Sequence, residues 1–233
     1  MTDSFEYISR DVEKVRGEID AAARKYGRDP SEITLLAAIK YADADEVNYL
    51  HNHAGINVVG ENRVQQLLER YDSIDRNDLS IHFIGGLQTN KVKYIVDKVD
   101  MIHSLDSERL AAEIDKQCAK IGKTMDVLCE INCAGEESKS GVLPQDAEEF
   151  CLGLSKYEHL KLRGFMTMAP ASLEFDEYRK YFSETVKLVL DIWHKKLHNI
   201  ERPVISMGMS GSFEAAIAEG STIVRIGRSL FAK

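Results

Sequence analysis

The sequence has no cysteine pair of the CxxC kind. Its four cysteines, Cys118, Cys129, Cys133 and Cys151, are scattered. Cys129 and Cys133 stand four apart in an apparent strand and would share a face, but no histidine at matching spacing completes a zinc site. Reduced, mostly buried thiols are expected. Basic charge is also scarce: Lys and Arg number 30 against 38 Asp and Glu, for a net charge of -8. With no basic stretch, a nucleic-acid partner or an anionic-membrane surface is not expected. No apolar run approaches the roughly 18 residues that cross a bilayer. The opening "MTDSFEYISRDVEKV" lacks the basic region and apolar run of a secretory signal, so a cytoplasmic location is expected. No Pro/Gly/Ser-rich linker interrupts the chain, and residues 1–233 read as one domain. There is no GK[ST] and no GxGxxG, so neither a nucleotide triphosphate nor a dinucleotide is indicated.

What is present is an alternation. Val12, Val15, Ile19, Ala22 and Ala23 recur at helical spacing, which predicts an amphipathic helix over 9–25, ended by Gly27 and Pro30. From "ITLLAAIK" onward, short apolar runs alternate with helical stretches. The runs are "ITLLAAIK", "INVVGE", "SIHFIGG", "MIHSLD", "MDVLCEIN", "LKLRGFMTM", "RPVISMGMS" and "STIVRIG". The stretches between them include 44–53, "NRVQQLLERY", "NKVKYIVDKV", "SERLAAEIDKQCAKIG", "PQDAEEFCLGLSKY", 175–197 and "FEAAIAEG". Strands that alternate with helices pair in parallel under a helical coat. Eight such units in 233 residues fit a single (β/α)8 barrel, a fold of about 250 residues, with an extra N-terminal helix. An open doubly wound sheet is the competing arrangement.

In such a barrel the chemistry gathers at the C-terminal ends of the strands. "ITLLAAIK" ends on Lys40. Thr34, Leu36, Ala38 and Lys40 share one face by the period-two rule, so an inward face sets the amine at the barrel mouth. A surface lysine that closes a strand in water is the alternative. Other polar groups end the remaining strands: Glu61 and Asn62 in "VGEN", His82 with Gly85 and Gly86 after it, Asn132, Ser210 in "MGMSGS", and Arg225, Gly227 and Arg228 in "VRIGR". Taken singly, such residues are often caps or turns, and Ser212 stands where a cap for the following helix belongs. The loops after the seventh and eighth strands of a barrel commonly bind phosphate, and both carry glycine, a hydroxyl and backbone N–H groups beside a helix start. A lysine and a phosphate cradle are the two anchors of pyridoxal 5'-phosphate (PLP).

The segments "AAIK", "VGENRVQ", "HFIGGLQTNK", "INCAGEESKSG", "LRGFMTMAP" and "SMGMSGSFEAAIAEGSTIVRIGRSLF" resemble the pyridoxal phosphate homeostasis protein family over nearly the whole chain. The resemblance implies a PLP-binding barrel similar to the N-terminal barrel of alanine racemase. It implies that Lys40 holds PLP as a Schiff base and that Asn62 lies beside the cofactor. Ser210, Gly227 and Arg228 would line the phosphate, and Arg225 would face the pyridine nitrogen unless it pairs with a carboxylate such as Glu219. Lys139 in "ESKSG" would lie near the entrance. The implied role is to hold, buffer or deliver PLP rather than to catalyse, with PLP-dependent apo-enzymes as recipients and the protein a monomer. The sequence departs from the family pattern at Ile39, Ile81, Gly86, Ser212 and Arg228, the last replacing a common threonine hydroxyl with a guanidinium. Two enzyme readings compete: a PLP-dependent amino-acid racemase, and a barrel enzyme that uses Lys40 on another phosphorylated substrate.

Overall fold

Alternating side chains in "TLLAA" sort to opposite faces of the first strand, β1 (Thr34–Ala38). In the computed structural model, which describes residues 5–135, 140–171, 173–195 and 202–232, Ala37 and Ile39 join the large core beneath the helices. Leu36 and Ala38 face the other way and meet Ile84 and Ile223 in a small cluster inside the barrel. Thr34, expected on that same inner face, lies exposed at the other end of the strand.

The remaining strands are β2 (Val58–Glu61), β3 (Ser80–Phe83), β4 (Met101–Leu105), β5 (Met125–Glu130), β6 (Leu160–Met166), β7 (Val204–Ser206) and β8 (Ile223–Ile226). Each pairs in parallel with the next, and β8 returns to β1 with Thr34 opposite Ile223 and Ala37 opposite Ile226. The sheet is therefore a closed (β/α)8 barrel, and the open doubly wound alternative is excluded. Gly164 marks an irregularity between β5 and β6. Its φ is 155°, and a Cβ there would stand 1.9 Å from the Val204 carbonyl oxygen, so the β6–β7 approach requires glycine.

Helix α1 (Glu6–Lys25) buries Ile8, Val12, Val15, Ile19, Ala22 and Ala23, the stripe its spacing predicts. Between the strands lie α2 (Ala44–Asn52), α3 (Val64–Arg70), α4 (Glu108–Ile121), α5 (Ala147–Gly153), α6 (Phe175–His194) and α7 (Phe213–Ala218). Asp43 and Glu46 form a capping box at the start of α2. One expected helix is absent in α form: "NKVKYIVDKV" forms a 3-10 helix at Thr89–Tyr94 and then turns. Val92, Ile95, Val96 and Val99 are still buried. β-Branched side chains lose rotamer freedom in an α-helix, and a 3-10 turn already aligns Val92 with Ile95. Cys133 falls in the turn after β5 rather than on the strand with Cys129. The expected end of the 175–197 helix lies partly outside the described residues.

Candidate functional site

β1 stops at Ala38, so Lys40 sits two residues further on, in the turn over the C-terminal rim of the barrel. Its side chain is exposed, with Nζ 4.8 Å from the centre of the Tyr41 ring. It borders a cavity of about 580 Å³ shared with α2 and α3 residues, among them Glu46, Gln66 and Arg70. The end of β8 lies against the same strand end: a Cβ on Gly227 would be 3.3 Å from the Ala38 carbonyl oxygen. Asn62 follows β2, and its Oδ1 is buried without a hydrogen-bond partner among the described residues. Gly85, after β3, packs on the Asn62 backbone so closely that a Cβ would stand 2.1 Å from its oxygen. The structure thus brings Lys40, Asn62 and Gly227 to one rim. Ser210 is exposed in the turn after β7, and Arg228 is exposed at the start of a 3-10 helix after β8. Ser212 precedes α7 but does not cap it: its hydroxyl accepts from the Met209 N–H at 3.2 Å. Lys139 lies outside the described residues.

Glu61 and Arg70 form a clamp under that rim. Glu61 is fully buried, and its Oε1 accepts from the backbone N–H groups of Asn62 at 2.6 Å and Arg63 at 3.0 Å. Its Oε2 takes Arg70 Nη2. Arg70 Nη1 donates to the carbonyls of Ile39, at 2.8 Å, and Ala42, so the guanidinium grips both ends of the turn that carries Lys40. Sequence reading singled out Glu61 but missed Arg70. The signal was present: Arg70 stands three residues after Leu67 on the buried face of α3.

Inside the barrel, Arg225 on β8 is buried. Its Nη1 donates to Ser206 O at 2.8 Å and to Ser206 Oγ at 2.6 Å, and its Nη2 donates to Thr167 O at 3.0 Å. Glu219, the carboxylate considered as its partner, pairs instead with Arg179 at 2.7 Å. Arg225 therefore stays in the barrel, and burial lowers its pKa only to about 10, so it is a cation at neutral pH.

Glu130, at the end of β5, is a buried carboxyl that the sequence reading passed over for Asn132. Burial, then Asp106, raises its pKa to about 7, with Arg225 opposing. A carboxyl that binds its proton more tightly when folded adds stability that is whole below the ordinary carboxylate range and is lost as pH rises through about 7. His82, lowered to about 4 by burial, has the opposite sign: its contribution is present above the ordinary imidazole range and lost as pH falls. Glu130→Gln removes the first effect and leaves the second. The variant should gain on the parent by on the order of 3 kcal/mol as pH rises from the ordinary carboxylate range to beyond 7. Urea unfolding across that range measures it, and parallel curves for the two proteins would refute it.

Residues 17–233 match the family described as "Alanine racemase, N-terminal domain". The pyridoxal phosphate homeostasis protein of Aquifex aeolicus is 41% identical over 226 residues, covering 97% of this chain and 96% of its own. The structure of PipY from Synechococcus elongatus with PLP bound superposes with a TM-score of 0.84 at 27% identity, covering 97% of this chain and all of that one. An alanine racemase from Clostridium difficile shares the fold, with a TM-score of 0.70 at 17% identity, and this chain covers 56% of its length. Among the described residues no helix is long and apolar enough to cross a membrane.

Proposed function

Because the chain belongs to the pyridoxal phosphate homeostasis proteins, within the alanine racemase N-terminal domain family, we propose that it binds PLP covalently and acts as a carrier or buffer of the cofactor. Lys40 Nζ would replace the aldehyde oxygen, releasing water, in a redox-neutral Schiff-base linkage. Asn62 would lie beside the ring, and Ser210, Gly227 and Arg228 would line the phosphate. Arg225 would face the ring nitrogen.

The observation that carries this reading is the state of Arg225. Three of its five N–H hydrogens are committed to Ser206 and Thr167, which leaves donors on Nε and Nη2 for an acceptor. An acceptor ring nitrogen fits those donors. The orphaned Asn62 Oδ1 and the close β1–β8 approach at Gly227 fit the same ligand. Bound PLP supplies an aldehyde for amines and, when its nitrogen is protonated, an electron sink. Arg225 only donates, so it holds the nitrogen unprotonated and keeps that sink weak. This supports a holding role over turnover. The protein would work as a monomer in the cytoplasm and pass PLP to apo-enzymes.

The test is an absorption spectrum of the PLP-treated protein before and after borohydride, with D- and L-amino acids then offered as substrates. A visible band lost on reduction, with no sustained turnover, is expected. A protein that stays colourless would refute PLP attachment, and steady racemisation would favour the enzyme reading.

A further inference from the structure

A line of five hydrogen bonds threads the barrel from its N-terminal rim to Arg225. Ser80 Oγ, at the start of β3, donates to Asp100 Oδ2 at 3.2 Å. His82 Nε2 lies 3.1 Å from Ser80 Oγ, and His82 Nδ1 lies 2.9 Å from His103 Nε2. His103 Nδ1 lies 3.1 Å from Ser206 Oγ, which accepts from Arg225 Nη1 at 2.6 Å. Both imidazoles are buried, His103 completely. The Asp100 oxygen is also held by the Ile81 N–H at 2.8 Å.

The two ends dictate the direction. A guanidinium only donates and a carboxylate only accepts. Ser206 accepts from Arg225 and turns its own hydrogen to His103 Nδ1. His103 must then carry its proton on Nε2 and give it to His82 Nδ1. His82 in turn carries its proton on Nε2 and gives it to Ser80, which donates to Asp100. The reverse direction would spend the one Ser80 hydrogen on His82 and set the serine lone pairs against the carboxylate. Burial keeps both rings neutral at pH 7, His82 lowered to about 4 and His103 also well below its ordinary value.

We propose that Ser206, His103 and His82 are positioning residues that fix the plane of the Arg225 guanidinium and so aim its free donors at the barrel mouth. This rests on the reading that Arg225 meets the PLP ring nitrogen. The line carries no proton to that ring, because it ends on a group that releases none at neutral pH. It acts as an oriented series of dipoles, each bond polarising the next.

Two measurements test it. Histidine-labelled nitrogen NMR without PLP should show His82 and His103 neutral, each protonated on Nε2, from pH 8 down to pH 6. A proton on Nδ1 of either ring, or a charged imidazole in that range, would overturn the line. Ring-labelled PLP is then bound to the parent, Arg225→Lys, Ser206→Ala and His103→Leu. The ring-nitrogen resonance should move in all three variants, and PLP should dissociate roughly fivefold more readily in Ser206→Ala, the effect of about one net hydrogen bond. If Arg225→Lys moves the resonance and the other two do not, positioning is overturned. If Arg225→Lys itself leaves the resonance unmoved, the ring-nitrogen reading fails, and the aim of the line with it, whatever the tautomers show. Ser206→Ala is nearly isosteric and decides the matter alone if His103→Leu does not fold.

Discussion

Lys40→Ala is expected to abolish borohydride-stable attachment of PLP while leaving the protein as stable as its parent. The imine needs a primary amine at the rim, and β1 delivers Lys40 there, beside the end of β8. Lys40 is exposed and makes no ion pair among the described residues, so its removal should change stability by no more than about 0.5 kcal/mol. Folding and labelling are therefore separable. Phosphate and ring contacts should still hold PLP weakly and reversibly, with the absorption of the free aldehyde. Peptide mapping of the reduced parent should place the label at Lys40. A trapped adduct of undiminished yield in the folded variant would show that another lysine carries the group.

Arg70→Met should give the largest stability loss of any single change considered. It leaves the Glu61 carboxylate buried without its counter-ion, which typically costs about 3–5 kcal/mol. For a chain of this length each kcal/mol lowers the melting temperature by roughly 2–4 °C, so the drop should be on the order of ten degrees. The variant also frees the carbonyls of Ile39 and Ala42, and with them the Lys40 turn. The double variant Glu61→Leu/Arg70→Met separates the two roles. Replacing both partners of a buried pair with apolar groups is often close to neutral for stability, yet the turn stays ungripped. Its melting temperature should recover in part, since the Asn62 and Arg63 N–H groups lose their acceptor, while PLP retention stays low. A melting temperature within two degrees of the parent for Arg70→Met alone would sink the clamp.

Much of this architecture was legible because two periodicities are plain in the residues. Spacing along "VEKVRGEIDAAARK" gives α1, and the short apolar runs give all eight strands. Lys40 was singled out because the apolar run "ITLLAAIK" ends on an amine, although β1 itself stops at Ala38 and the lysine stands in the turn beyond it. Arg70 was not, because an arginine after "QQLLE" reads as the polar end of a surface helix until Glu61, nine residues earlier, is seen beneath it. His82 and His103 lie in separate strands, 21 residues apart, and nothing local says that their rings touch. Ser206 looked like an ordinary strand residue, and its contact with Arg225 appears only once β7 is paired with β8. The segment after β3 misled for a different reason: its apolar spacing is helical and its burial follows that spacing, but its β-branched side chains favour a tighter, shorter winding.

Closure of β8 on β1 has a consequence for how the protein comes into being. Thr34 pairs with Ile223, and α1 is tied to the last helix by Lys25 and Glu214, which are separated by 189 residues. Contacts of such sequence separation are entropically expensive to form and arrive late in folding. A chain emerging from the ribosome exposes Lys40 well over 150 residues before it exposes Ser206 and Arg225. Until then β1 has one free edge, a template for wrong pairing. The lysine and the buried guanidinium thus come together only in a late step, when β1 pairs with β8.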